Sequence, residues 1–125
     1  MISAPKGLLR LATLRLLSES SMSGTALAEH IARVSEGEWK PGPGSIYLIL
    51  GELLRQGLIT ELPKRGGNLR RYVISSRGKD ELSKLSREAS NGVGRQLRLL
   101  AVYSALSGRT DIQKALLSAS NDIKP

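Results

Sequence analysis

WKPGPGSIYLIL, Trp39–Leu50, places two prolines, two glycines and the only tryptophan of the chain ahead of an apolar run broken by one tyrosine. Each proline biases the residue before it towards extended backbone, so a helix here starts no earlier than about Pro43. Pro43 itself suits the first turn. On a wheel of about 100° per residue, the helix predicted over 44–56 gathers Ile46, Leu50, Leu53 and Gly57 on one side, with Ile49 and Leu54 at its edges. Leu48, Gly51, Glu52 and Arg55 fall opposite, and Tyr47 lies on the flank. A stiff lead-in fixes the first turn of a helix that faces a partner. Such an N-terminus carries free N–H groups and a partial positive charge, which suit phosphate.

Downstream, Gly57 in "QGL" is a natural residue to end the helix. "LITEL" (58–62) and "LRRYVIS" (69–75) are short β-branched runs joined by "PKRGGN", the pattern of a two-stranded hairpin. Ser75 or Ser76 then caps a long helical segment. Leu82, Leu85, Ala89, Leu97, Leu100 and Tyr103 recur along it at mainly helical spacing, across a weak point at "NGVG" (91–94) that predicts a kink or a break. Gly108 ends it, and "TDIQKALLSAS" (110–120) adds a last short helix.

Upstream, Ser23 caps a second helix, "GTALAEHIARVS", after a turn at "SESSMS". A first helix is expected from Pro5 to about Leu17. Its polar stripe of Lys6, Arg10 and Thr13 is so narrow that burial on more than one side follows. Three helices, a hairpin and a long helix predict a mainly α (α+β) winged helix-turn-helix fold with a two-stranded wing and a long C-terminal dimerisation helix. Residues 1–75 form the expected DNA-binding domain and 76–125 the helical dimerisation segment. In such a fold the third helix enters the major groove.

Charge agrees with that destination. The net charge is +8 and the pI about 10.3, which favours an anionic partner, nucleic acid before acidic membrane. "KRGGNLRR" (64–71) holds four basic residues and no acid. Phenylalanine and cysteine are both absent. The core is therefore aliphatic, a disulfide scaffold and thiolate chemistry are excluded, and a cytoplasmic address is expected. Lys6, Arg10 and Arg15 interrupt the N-terminal apolar run, which reads as an amphipathic helix rather than a membrane span or signal segment. His30 is the only histidine, so no metal site is expected. The chain shows no nucleophile elbow and no phosphate-binding glycine loop, so neither catalysis nor a cofactor is expected.

"LLRLATLRLL", Gly24, "WKPGPGSIYLILGELLRQGLI", "RRYVIS" and "SRGKDEL" together resemble the PadR family of transcriptional regulators over roughly residues 8–85. The resemblance implies a winged helix-turn-helix homodimer joined through its C-terminal helices. It also implies binding to double-stranded DNA, usually as a repressor that some signal releases. A small-molecule effector would be such a signal; its identity is not written in the sequence. The chain departs from the family pattern at Thr25, where tyrosine is usual, and at Gly42. The outer face of the third helix offers Leu48 and Gly51 where hydrogen-bonding side chains would help read bases.

The expected DNA-binding residues are Lys40, Ser45, Tyr47, Leu48, Arg55, Lys64, Arg65, Arg70 and Arg71. Ser45 and Tyr47 bring hydroxyls to phosphate or base edges, and Leu48 suits a thymine methyl. The wing cations suit phosphate or a minor groove. Arg70 and Arg71 are adjacent on a strand, so only one of them readily faces DNA. The expected dimer residues are Leu82, Leu85, Leu97, Leu100 and Tyr103. Two other functions fit the same residues: a weakly sequence-specific architectural DNA-binding protein, and a winged-helix module that binds protein through Leu48.

Overall fold

The structure, a computed structural model, describes residues 7–64, 67 and 69–123. In chain order they form α1 (Leu8–Glu19), α2 (Gly24–Val34), α3 (Pro43–Arg55), β1 (Ile59–Glu61), β2 (Tyr72–Ile74), α4 (Ser76–Leu106) and α5 (Thr110–Asn121). Two compact units divide the chain between Ser83 and Lys84, inside α4.

The first unit is the predicted three helices and wing. Leu14, Leu17, Leu27, Ile46, Leu50, Leu53 and Ile59 are almost completely buried. Ser23 caps α2 by accepting from the Ala26 N–H at 3.1 Å. One residue on, a Cβ on Gly24 would meet Ile46 Cγ2 at 3.3 Å and Leu50 Cδ1 at 3.4 Å, so glycine lets the start of α2 lie close against α3. α3 ends as its sequence predicts. Gly57 has φ +73°, its N–H donates to the Leu54 carbonyl, and the Leu58 N–H donates to Leu53. These bonds satisfy carbonyls that the helix end would otherwise leave bare.

β1 and β2 pair antiparallel, Ile59 with Ile74 and Glu61 with Tyr72. Both strands are shorter than predicted. Met22 bridges to Tyr72 through 3.1 and 2.9 Å bonds, so the turn before α2 is also tied to the wing. Ser75 is the cap of α4. It accepts from the Gly78 N–H at 3.1 Å and donates to the Gly57 carbonyl at 2.6 Å.

α1 differs from its expectation. It runs from Leu8 to Glu19, later at both ends, and Lys6 lies outside the described residues. Thr13, assigned above to the polar stripe, is fully buried. α1 contacts α2, α3 and β2, and neighbours on that many sides cover the angle where Thr13 points. Arg10 stays polar, 4.0 Å from Glu81 at the start of α4.

In the second unit, α4 is a single helix across 91–94. Gly92 and Gly94 lower local helix propensity, yet the Ser120 hydroxyl on α5 donates to the Gly94 carbonyl at 3.4 Å and Ile123 lies against Gly94. Packing between α4 and α5 offsets the weakness that the sequence shows. Gly108, φ +83°, ends the α4 turn as expected, with bonds from Gly108 to Ala105 and from Arg109 to Ser104.

Candidate nucleic-acid interface

Pro43 stands in the first turn of α3, and the cap position is Gly42, which has no side chain to cover that turn. The first N–H groups of a helix have no partner within it. Here they open beside Gly44 and Ser45, both exposed. Ile46, Ile49, Leu50 and Leu53 are buried, while Tyr47 and Leu48 stand out at 61% and 63% exposure. The helix thus has the inner and outer faces that its spacing predicts. Arg55 is exposed in the last turn, and Lys40 is exposed in the lead-in loop. That loop is pinned: the Ser35 hydroxyl accepts from the Trp39 N–H at 2.9 Å and donates to the Trp39 carbonyl at 3.0 Å. Trp39 is half-buried there.

On the wing, Lys64, Arg70 and Arg71 are exposed. Arg65 lies outside the described residues. Of the adjacent pair, Arg70 lines a cleft of about 300 Å³ with Ser23, Gly24, Thr25, Tyr47, Leu69 and Tyr72. The cleft therefore joins α3 to the wing, bringing Tyr47 and Arg70 together at the N-terminus of α2. Arg70 Nε also lies 3.5 Å from Glu61, an exposed pair of small energetic weight.

Thr25 and Tyr72 were not among the expected site residues. Thr25 had a visible signal, since it follows the Ser23 cap into the first turn of a helix. Tyr72 had none, because a tyrosine opening a strand reads as core. Its ring is indeed buried, at 5% exposure. Burial pushes its phenol above the ordinary range and the Glu61 charge adds to this, while Arg70 opposes both. The phenol thus stays protonated at neutral pH.

The expected dimer residues divide. Leu82 is buried inside the first unit, Leu85 and Leu97 are half-buried, and Leu100 and Tyr103 are well exposed. Val93, Leu99, Val102 and Leu106, also exposed on α4, join the last two. Among the described residues no cluster of histidine and acidic side chains is arranged to hold a metal ion. No described helix is long and apolar enough to cross a membrane.

Three helices, an antiparallel wing and an exposed third-helix face define a winged helix-turn-helix protein. Residues 13–84 match the Transcriptional regulator PadR-like family, and the chain belongs to that family, one of DNA-binding regulators and not of enzymes. Transcriptional regulator YqjI of Escherichia coli K12 is 30% identical over 110 residues, covering 88% of this chain and 52% of that protein. The chain thus spans about half the length of the curated relatives it matches. Among solved structures, a transcriptional regulator from Clostridium thermocellum superposes with a TM-score of 0.66 at 19% identity, over 70% of this chain and 87% of that one. Bacillus subtilis PadR in complex with operator DNA gives 0.58 at 20% identity, over 94% of both chains. At such identities the likeness concerns the fold.

Proposed function

We propose that the chain binds duplex DNA as a homodimer and regulates transcription, most simply as a repressor that occupies promoter DNA. The observation that carries this is the outward first turn of α3, with Ser45, Tyr47 and Leu48 exposed beside an uncapped helix N-terminus. Ser45, Tyr47 and Leu48 face base edges. Lys40, Arg55, Lys64 and Arg65 hold phosphates. Arg70, Thr25 and Tyr72 close on one phosphate at the start of α2, beside Tyr47. The operator complex of Bacillus subtilis PadR, a chain of the same fold, supports DNA as the partner. Residues 1–75 act as the DNA-binding domain, and 76–125 as the segment that pairs two copies. The exposed apolar face of α4 supports that pairing, since a stripe of this kind in water calls for a partner.

Electrophoretic shift of genomic fragments with a salt titration tests the proposal. A regulator retards a small set of fragments at salt concentrations that release the rest. The affinity falls by about 0.9 logarithmic units per tenfold rise in salt for each phosphate contact. One feature favours a second reading: Leu48 and Gly51 on the outer face leave few hydrogen-bonding groups for base edges. Equal affinity for unrelated duplexes would assign the chain an architectural role. Binding no tighter than that of any basic protein of like charge would end both readings.

A further inference from the structure

A second cleft, of about 320 Å³, lies wholly within the second unit and is lined by Asn91, Gly94, Arg95, Arg98 and Ile123. Arg95 and Arg98 stand three residues apart on one face of α4, a spacing at which like charges weaken a helix. Among the described residues no carboxylate lines the cleft and neither arginine pairs with an acid. Arg98 is nevertheless held in place. Its Nη1 donates at 3.1 Å to the hydroxyl of Ser120, a residue only 3% exposed, and that hydroxyl donates on to the Gly94 carbonyl. One of the five guanidinium N–H donors is used in this way, and the rest remain for the cleft. A guanidinium fixed by its own protein is preorganised for two-pronged bonds to carboxylate or phosphate.

Gly94 adds an independent sign. Glycine inside a helix is less stable than alanine. A Cβ at this position would meet Arg98 Nη1 and Ile123 Cγ2 at 3.6 Å, both ordinary contacts, so packing does not demand glycine. The hydrogen in place of a methyl group instead leaves room at the cleft floor between the two arginines.

We propose that this cleft binds a small oxyanion, a carboxylate or a phosphate, clamped by Arg95 and Arg98 with the Asn91 amide as a further donor. The volume is at the lower end of the about 300–1,000 Å³ usual for ligand sites, so the ligand is small. The site lies in the unit that carries no expected DNA contact, and it stands or falls apart from the DNA proposal.

The test uses the full chain, titrated separately with inorganic phosphate and with succinate at constant ionic strength set by chloride. Binding is followed by calorimetry and thermal unfolding. A saturable rise in Tm with at least one anion is expected, and the anion that produces it names the ligand class. Arg95→Gln weakens that binding at least tenfold and does not lower the Tm without ligand, since it relieves the like-charge pair. Lys114→Gln, which removes an exposed charge from α5 outside the cleft, leaves the binding unchanged. Gly94→Ala raises the Tm without ligand and still weakens binding, a combination that partial unfolding cannot produce. Three results overturn the proposal: no saturable response to either anion, equal weakening by Arg95→Gln and Lys114→Gln, or a loss of duplex affinity in Arg95→Gln as large as its loss of anion affinity. The last would make the cleft part of a DNA surface.

Discussion

In the first unit Leu14, Leu17, Leu27, Ile46, Leu50, Leu53 and Ile59 are each at most 2% exposed, whereas in the second Leu99, Leu100, Val102, Tyr103 and Leu106 range from 48% to 82%. Among the described residues, Ala101 is the one apolar side chain buried in the second unit. The two stretches use the same aliphatic vocabulary and differ in how many neighbours the fold supplies. Three helices and a hairpin surround one another. Two helices of a unit near 40 residues cannot, and below about that size a chain usually needs a partner to close a core. The contrast explains why the first unit closes its own core while the second leaves leucines exposed.

The comparison breaks most visibly if the second unit is self-sufficient. Leu97→Asp with Leu100→Asp places two charges on the apolar face. Light scattering should then give the 13.5 kDa mass of one chain instead of a dimer. Duplex affinity should fall by about a hundredfold or more, because linked half-sites gain that much from effective concentration. Wild-type protein already at the mass of one chain at micromolar concentration would show that the leucines need no cover.

The tightness of the first unit is tested at Gly78. In an open helix, glycine to alanine is stabilising by up to about 1 kcal/mol. Here a Cβ would clash with the Leu58 carbonyl oxygen and lie 2.6 Å from Ile74 Cγ1. That carbonyl also accepts from Ser75 at 3.0 Å, so its backbone is not free to move aside. Gly78→Ala should therefore lose about 1–3 kcal/mol, the usual cost of overpacking. A gain in denaturant midpoint would show that α4 has slack at its start.

The outer face of α3 gives a contrast within the first unit itself. Ser45 and Tyr47 are exposed and make no part of its core. Their double replacement by alanine should leave the melting curve in place and lower duplex affinity more than tenfold, or over about 1.4 kcal/mol. A variant that melts sharply lower yet binds normally in the cold would return both residues to a structural role.

Much of this was legible from punctuation. Pro41 and Pro43 dated the start of α3, Gly57 and Gly108 marked helix ends, and Ser23 announced α2, because each acts through its own backbone or its nearest neighbours. What escaped depends on distant chain. The Met22–Tyr72 bridge joins residues fifty apart in sequence. α4 continues over two glycines because Ser120 and Ile123 meet it there. Just past the end of α2, Glu36 adopts φ +52°, a conformation that glycine accepts and glutamate resists, and Gly37 after it takes φ +80°. The candidate site followed the same rule. Residues on the outer face of α3 were visible from periodicity. Thr25 had a local signal in the Ser23 cap before it, whereas Tyr72 joined them only when folding brought β2 alongside.

Thr13 is the sharpest case of a side chain placed by its neighbours, and it carries the smallest effect. The i, i+3 spacing from Arg10 put it on a polar stripe, yet it is completely buried in a helix that contacts α2, α3 and β2. Among the described residues its hydroxyl finds no hydrogen-bond partner. A buried hydroxyl without a partner loses its water and gains nothing in return, a cost of about 1–3 kcal/mol. Valine keeps the β-branched shape and differs little in helix propensity. Thr13→Val should thus raise stability by about 1 kcal/mol, the low end of that range. In a unit of this size that is roughly 4–8 °C in Tm, with duplex affinity unchanged. The same substitution lowering the Tm would mean that the hydroxyl is satisfied within the core, and that the first unit is packed around a polar contact at Thr13 rather than in spite of one.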